Sequence, residues 1–359
     1  MKLAIIIGTR PEIIKMAPII RECQHQKIDF FILHTGQHYS FDMDKIFFNQ
    51  LHLPHPTYNL DVGSGSHAQQ TAKILIGCEK ILTHESPDIV VVEGDTNTVL
   101  AGALAAAKLS ITTGHVEAGL RSYNKNMPEE INRILTDHCS DYLFAPTEIS
   151  KKILLEEGIP EEKIFITGNT IVDAVLQNLQ LSQQQSHILE ELELKKDQFF
   201  LVTTHRQENV DSKQRFNKIL QGLQTLAYEF QLPVIYPIHP RAQKRIKEFN
   251  LQIKNIQLID PLDYFSFLQL ESNAKAILTD SGGVQEEACI LQIPCITLRD
   301  ETERPETLEI KSNIIAGVNS EKILQSVTTM LSADRQWNNP YGDGKAAEKI
   351  ITILNEKES

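Results

Sequence analysis

Basic charge is scarce in this 359-residue chain: Lys and Arg number 35 against 47 Asp and Glu, for a net charge of −12. A nucleic-acid partner is therefore not expected, and any phosphate the protein binds has to be held by local arginines and helix ends rather than by a basic field. Long apolar runs are missing too. None approaches the roughly 20 residues of a membrane span, and Met1-Lys-Leu-Ala-Ile-Ile-Ile-Gly8 leads straight into a strand. A cytoplasmic protein with no membrane partner is expected. Cysteines are few and odd in number: Cys23, Cys78, Cys139, Cys289 and Cys295 stand far apart among apolar residues. They read as reduced core thiols, with neither a disulfide framework nor a C-x-x-C metal site. A proper dinucleotide fingerprint is also lacking, because Gly63-Ser-Gly-Ser-His-Ala68 has incomplete glycine spacing and no good strand before it. That segment reads as a loop, and NAD binding is not expected.

What is present is a chain of ordinary globular composition, 41% hydrophobic and 23% charged. Its length suggests two domains. Short apolar runs, from Leu3–Ile7 and Phe30–His34 through Ile89–Glu93 and Thr112–Val116 to Ala276–Leu278 and Cys295–Leu298, alternate with stretches of helical period. Such alternation gives the α/β class, with doubly wound parallel sheets whose ligands bind beyond the carboxyl ends of the strands. Two such series appear. They imply Rossmann-like domains over residues 1–170 and 171–344, with the hinge between about 168 and 198 around the polar Leu181-Ser-Gln-Gln-Gln-Ser-His187, and a last helix in 345–359 packing back on the first.

In that architecture the strand-to-helix junctions are the places to look. Thr279-Asp-Ser-Gly-Gly-Val-Gln-Glu-Glu287 follows an apolar run and opens a helix. Its glycines admit close approach, its first N–H groups have no helical partner, and the helix dipole favours an anion there. A diphosphate suits Ser281, Gly282 and Gly283, while Glu286 and Glu287, one turn in, suit ribose hydroxyls. In Gly8-Thr-Arg-Pro-Glu-Ile-Ile-Lys15, Arg10 and Lys15 crowd a helix start, which favours an anionic ligand. Asp95 follows Gly94 at another strand end and, taken alone, reads as an N-terminal cap.

The junction Gly114-His-Val-Glu-Ala-Gly-Leu-Arg121 with Met127-Pro-Glu-Glu-Ile-Asn-Arg133 shifts that reading, because Asp95, Glu117 and Glu129 then share one rim. Crowded carboxylates repel, one pKa rises while another stays low, and general acid/base chemistry becomes available. A magnesium site calls for similar residues and stays open as the alternative. Further cations follow later strands: His205 and Arg206, His239 and Arg241, Arg299 and Arg304.

Taken together, Gly8-Thr-Arg-Pro-Glu12, Gly94-Asp-Thr96, His115-Val-Glu-Ala-Gly-Leu-Arg121, Pro128-Glu-Glu130, Gly168-Asn-Thr170, His205-Arg-Gln-Glu-Asn209, Asp280-Ser-Gly-Gly283 and Thr302-Glu-Arg-Pro-Glu306 closely resemble the non-hydrolysing UDP-N-acetylglucosamine 2-epimerases. The resemblance implies the GT-B architecture with the active site in the cleft, a homodimer, a UDP-sugar substrate, and no nicotinamide or metal cofactor. It implies inversion at C2 by loss of UDP to 2-acetamidoglucal and re-addition. By the same resemblance Asp95, Glu117, Glu129 and His205 are catalytic. His205 and Arg304, with Arg10 and Lys15, stabilise the diphosphate; Ser281, Gly282 and Gly283 donate to it; and Glu287 holds the ribose.

Departures from the pattern bear on regulation and substrate. Gln207, Leu262 and the start Gln37-His-Tyr39 replace residues that, in many bacterial members, lie around the site of an activating second UDP-GlcNAc. Such activation is not expected here. The Gln-His-Tyr start and Met127–Arg133 also resemble epimerases of UDP-2,3-diacetamido-2,3-dideoxyglucuronate, which remains an alternative substrate. A hydrolysing epimerase, a GT-B glycosyltransferase and a non-catalytic UDP-sugar sensor complete the alternatives.

Overall fold

Leu3 to Ile7 carry no polar alternation, as a strand covered on both faces requires, and all five side chains are fully buried. The computed structural model describes residues 1–37 and 41–357, so His38 and Tyr39 of the early Gln-His-Tyr segment lie outside the described residues. The chain divides into two compact units, Met1–Leu176 with Tyr341–Ser359, and Gln177–Pro340.

The first unit is built on strands β1 (Lys2–Ile7), β2 (Asp29–His34), β3 (Tyr58–Asn59), β4 (Ile89–Glu93), β5 (Thr112–Val116), β6 (Tyr142–Ala145) and β7 (Ile164–Ile166). They form one sheet in the order β3-β2-β1-β4-β5-β6-β7, every neighbouring pair parallel. The second unit holds β8 (Phe200–Thr203), β9 (Val234–Pro237), β10 (Gln257–Ile259), β11 (Ala276–Thr279), β12 (Cys295–Thr297) and β13 (Asn313–Ile315), in the order β10-β9-β8-β11-β12-β13, again all parallel. Both are doubly wound. The strand order reverses between β1 and β4 in one sheet and between β8 and β11 in the other, and such a switch point is where loops diverge and leave room for a ligand.

Apolar side chains from the sheets and their covering helices form the cores: Ile6, Val90, Val92, Val99 and Ala103 in the first unit, Val202, Phe216, Leu223, Tyr236 and Leu278 in the second. The last helix, Ala346–Lys357, packs on helix Arg10–His25, and its start is capped by Asp173, which accepts from the N–H groups of Ala346 and Ala347 at 3.2 and 3.0 Å.

Three details differ from the sequence-based picture. The two-residue β3 was not expected, since so short a strand leaves no periodic signal. The polar stretch Leu181–His187, which separates the two series in the sequence, is mostly the end of helix Thr170–Gln185; the unit boundary falls within that helix at 176/177, inside the expected hinge range and six residues past 170/171. The second boundary lies at 340/341 rather than 344/345.

Candidate active site

At the rim of the first sheet, β1 is followed by Gly8, where a Cβ would stand 2.1 Å from the Thr35 hydroxyl oxygen and 2.2 Å from that of Thr98. Glycine is the only residue that fits. Helix Arg10–His25 starts immediately, and Glu12 in its first turn turns inward, accepting from the Gly8 N–H at 2.5 Å and the Thr96 hydroxyl at 2.6 Å. Burial outweighs these donors and pushes Glu12 up to about 7. The Arg10 guanidinium lies over the Phe47 ring, 4.9 Å from its centroid.

Helix Asn97–Lys108 is capped by Thr96, whose hydroxyl accepts from the Thr98 N–H, and not by Asp95 as the sequence alone suggested. The Asp95 carboxylate instead receives Arg133 Nη2 at 2.5 Å, and Asn132 donates to the Asp95 carbonyl at 2.9 Å. Both partners belong to helix Pro128–Cys139, which also carries Glu129. Glu129 is half-buried, and its side chain makes no hydrogen bond or ion pair with the described residues. Its neighbour Glu130 turns in and holds the N–H groups of Ser122 and Tyr123, each at 2.8 Å.

Glu117 follows β5 in the left-handed region, φ 71°, which is costly for a residue with a side chain. Asp137 clamps the turn that holds it, accepting from His115 Nδ1 at 2.6 Å, the Gly119 N–H at 3.2 Å and Arg121 Nη2 at 2.6 Å. Burial opposes ionisation of Asp137, yet His115 and Arg121 hold it below the ordinary carboxylate range. Gly119 is itself at φ 82°, with Ser150 O only 2.5 Å from where a Cβ would be. So fixed, the Glu117 carboxylate takes Lys15 Nζ at 2.7 and 2.8 Å and the Asn169 amide at 3.0 Å. Lys15 also lies 3.2 Å from Glu93, the last residue of β4. The lysine expected beside a diphosphate is thus engaged with two buried carboxyl groups. Gly94 completes the rim: a Cβ there would lie 3.8 Å from Glu117 Oε2, so Asp95 and Glu117 leave adjacent strand ends.

At the switch point of the second sheet, Asp280 follows β11, is fully buried and accepts from the N–H groups of His205 and Arg206 and from the Asn209 amide at 3.0 Å. Its carboxylate lies 3.3 Å from His205 Nδ1. Burial raises its pKa, but His205 and Asn209 bring it below the ordinary value. The imidazole is thereby oriented with Nε2 turned away from the carboxylate. Next to it, helix Gly282–Ile290 begins at Ser281 with no side-chain cap, and a Cβ on Gly282 would sit 3.8 Å from the Arg304 guanidinium carbon. Arg304 is held by Glu286, Nε to Oε1 2.6 Å. An uncapped helix start beside an arginine and a histidine is an anion seat. Glu287 is 8% exposed, and burial together with Glu287 pushes the neighbouring Glu271 well above the usual carboxylate range.

Arg241, Arg299 and His239, also singled out in the sequence, are engaged elsewhere. Arg241 pairs with Asp211, and Arg299 with Glu303 at 2.7 Å. His239 caps helix Pro240–Phe249 through Nδ1. Burial opposes ionisation of Glu303, but Arg299 and Arg206 bring it down to about 2. Sequence reasoning passed over Glu12, Glu93, Asn169, Arg133 and Asp137. A carboxylate closing the apolar Ile-Val-Val-Val run of β4 was the available signal for Glu93. Among the described residues no group of three or more His, Cys, Asp or Glu is arranged to hold a metal ion, and no helix is long and apolar enough to cross a membrane.

Residues 21–355 match the family model described as UDP-N-acetylglucosamine 2-epimerase. The chain is similar to the UDP-N-acetylglucosamine 2-epimerase of Methanocaldococcus jannaschii, 58% identical over 99% of both chains, and to that of Methanococcus maripaludis, 52% identical over 98% of both. In three dimensions it is similar to a crystal structure of the M. jannaschii UDP-GlcNAc 2-epimerase in complex with UDP-GlcNAc and UDP, with a TM-score of 0.90 at 58% identity, covering 99% of this chain and 100% of the other.

Proposed function

This chain belongs to the UDP-N-acetylglucosamine 2-epimerase family, and on that footing we propose that it interconverts UDP-GlcNAc and UDP-ManNAc without hydrolysing them. The C2 proton is not acidic, because no carbonyl is attached to that carbon, so direct removal meets a high barrier. Elimination avoids it. The C1–O bond breaks with its electron pair leaving on the β-phosphate of UDP, the C2 proton passes to a carboxylate, and the C1–C2 double bond of 2-acetamidoglucal forms. Re-addition of UDP at C1, with a proton delivered to the other face of C2, gives the epimer.

That sequence asks for two sets of groups, and the chain carries one on each unit. Asp95, Glu117 and Glu129 handle protons and the positive character developing at the ring. The start of helix Gly282–Ile290, Arg304 and His205 stabilise the departing diphosphate, with Glu287 at the ribose and Arg10 adding positive charge. The observation that carries the reading is Glu117: a carboxylate held in strained backbone at a sheet's switch point, salt-bridged to Lys15 beside the Asp95 strand end. Strain of this kind persists only where surrounding structure enforces it.

Proton NMR of the purified protein with UDP-GlcNAc alone tests the assignment. UDP-ManNAc as the product supports it. Free ManNAc and UDP would point to hydrolysis, and turnover restricted to UDP-2,3-diacetamido-2,3-dideoxyglucuronate would replace the substrate. The family resemblance further supports a homodimer; a sedimentation experiment returning the 40.6 kDa monomer would remove that part.

A further inference from the structure

Asn169 joins the Glu117 carboxylate to the place where the chain re-enters the first unit. Its N–H donates to the Tyr341 carbonyl at 2.8 Å, its carbonyl accepts from the Val172 N–H at 3.0 Å, and its side-chain oxygen accepts from the Ile171 N–H at 3.0 Å, at the start of helix Thr170–Gln185. Gly168 before it is at φ 87°, and a Cβ there would stand 3.0 Å from the Tyr341 carbonyl oxygen. Asn169 is itself 2% exposed. These contacts decide which way the amide points. Reversed, its NH2 group would face the Ile171 N–H and its oxygen would face a carboxylate, two repulsions in place of two hydrogen bonds. The NH2 group therefore donates to Glu117 Oε1, at 3.0 Å.

Lys15 does not orient that carboxylate by itself. Its ammonium stands 2.7 and 2.8 Å from the two oxygens and so treats them alike, while rotation about the last bond of a glutamate is soft. Asn169 breaks the symmetry by donating to Oε1 from a short side chain clamped at its base. We propose that Asn169 is a positioning residue that fixes the plane of the Glu117 carboxylate for proton transfer. The inference rests on the epimerase reading above. Charged neighbours on the packed elements are Lys15, Glu93 of β4, Asp95 with its partner Arg133, and Asp173, which is held by the N–H groups of Ala346 and Ala347. Their titration is common to wild type and variant and cancels in a ratio of the two.

Asn169→Ser keeps an acceptor for the Ile171 N–H, serine being as good a helix cap as asparagine, but is too short to reach Glu117. It is expected to lower kcat by roughly ten- to a hundredfold while KM for UDP-GlcNAc stays within about threefold. Asn169→Asp keeps both the cap and the shape, and replaces the NH2 group by an oxygen that donates to Glu117 when protonated and repels it when ionised. Its kcat relative to wild type should therefore fall by about tenfold or more between about pH 6 and 9. A purely capping role predicts otherwise, because an ionised aspartate at a helix start is at least as good as the amide, and the ratio would stay flat or rise. Wild-type kcat in Asn169→Ser, or a flat or rising ratio in Asn169→Asp, would overturn the inference. A wild type with no epimerase turnover would instead remove the functional reading, and this inference with it.

Discussion

Glu117 and Asp95 stand at adjacent strand ends, yet each is matched with a different cation, Lys15 for one and Arg133 for the other. That pairing gives the two carboxylates different surroundings, as separate parts in the proposed proton transfer require. Asp95→Asn or Glu117→Gln is expected to lower kcat by a factor on the order of hundreds, with UDP affinity by titration calorimetry changed little; near-normal turnover would remove that residue from the chemistry. Glu12 gives a prediction of another kind. Its folded pKa is about 7 against an ordinary 4.5, so between these values the folded state binds more protons than the unfolded one. Its contribution is complete below the lower value and is lost as pH rises through the upper one, up to ~3 kcal/mol. Urea unfolding across this range should show a shallower decline for Glu12→Gln; an unchanged slope would mean that Glu12 is ionised at lower pH. The residue types of the site were legible in the sequence, but their partners were not, because an ion pair such as Asp95–Arg133 spans a separation that no local pattern records.

Strands and helix starts were read most securely, since a branched apolar run ending in glycine, followed by proline or a cap, specifies a junction locally. The Ile89–Glu93 and Thr112–Val116 strands fall where the apolar runs do. What escaped is the turn of residues 115–121, whose shape is dictated from helix Pro128–Cys139: Asp137 grips His115, Gly119 and Arg121 and thereby forces Glu117 into positive φ. Asp137→Asn withdraws the charge while keeping the shape, leaving the buried Arg121 and His115 poorly matched. A loss of about 3 kcal/mol or more is expected in urea unfolding, together with lower kcat because Glu117 is released from its strained position. Full stability in this variant would show that the turn is held by its glycine and packing alone.

For the molecule as a whole, the division of labour follows from two sheets of the same handed design, each with its chemistry at its own switch point. One collects carboxylates and the other an uncapped helix start with an arginine and a histidine, so the net charge of −12 coexists with a local seat for a diphosphate. The two-domain plan was readable from alternation alone. The exact division was not, because the chain leaves the first unit within a continuous helix that carries no breaker. Elimination and re-addition make one demand that binding, glycosyl transfer and simple hydrolysis do not share: the C2 proton must leave the sugar and be replaced. The decisive measurement is therefore proton NMR of wild-type protein with UDP-GlcNAc in deuterated buffer. The epimerase reading predicts UDP-ManNAc carrying deuterium at C2; UDP-ManNAc that retains its original C2 proton, or a substrate left unchanged, would contradict it.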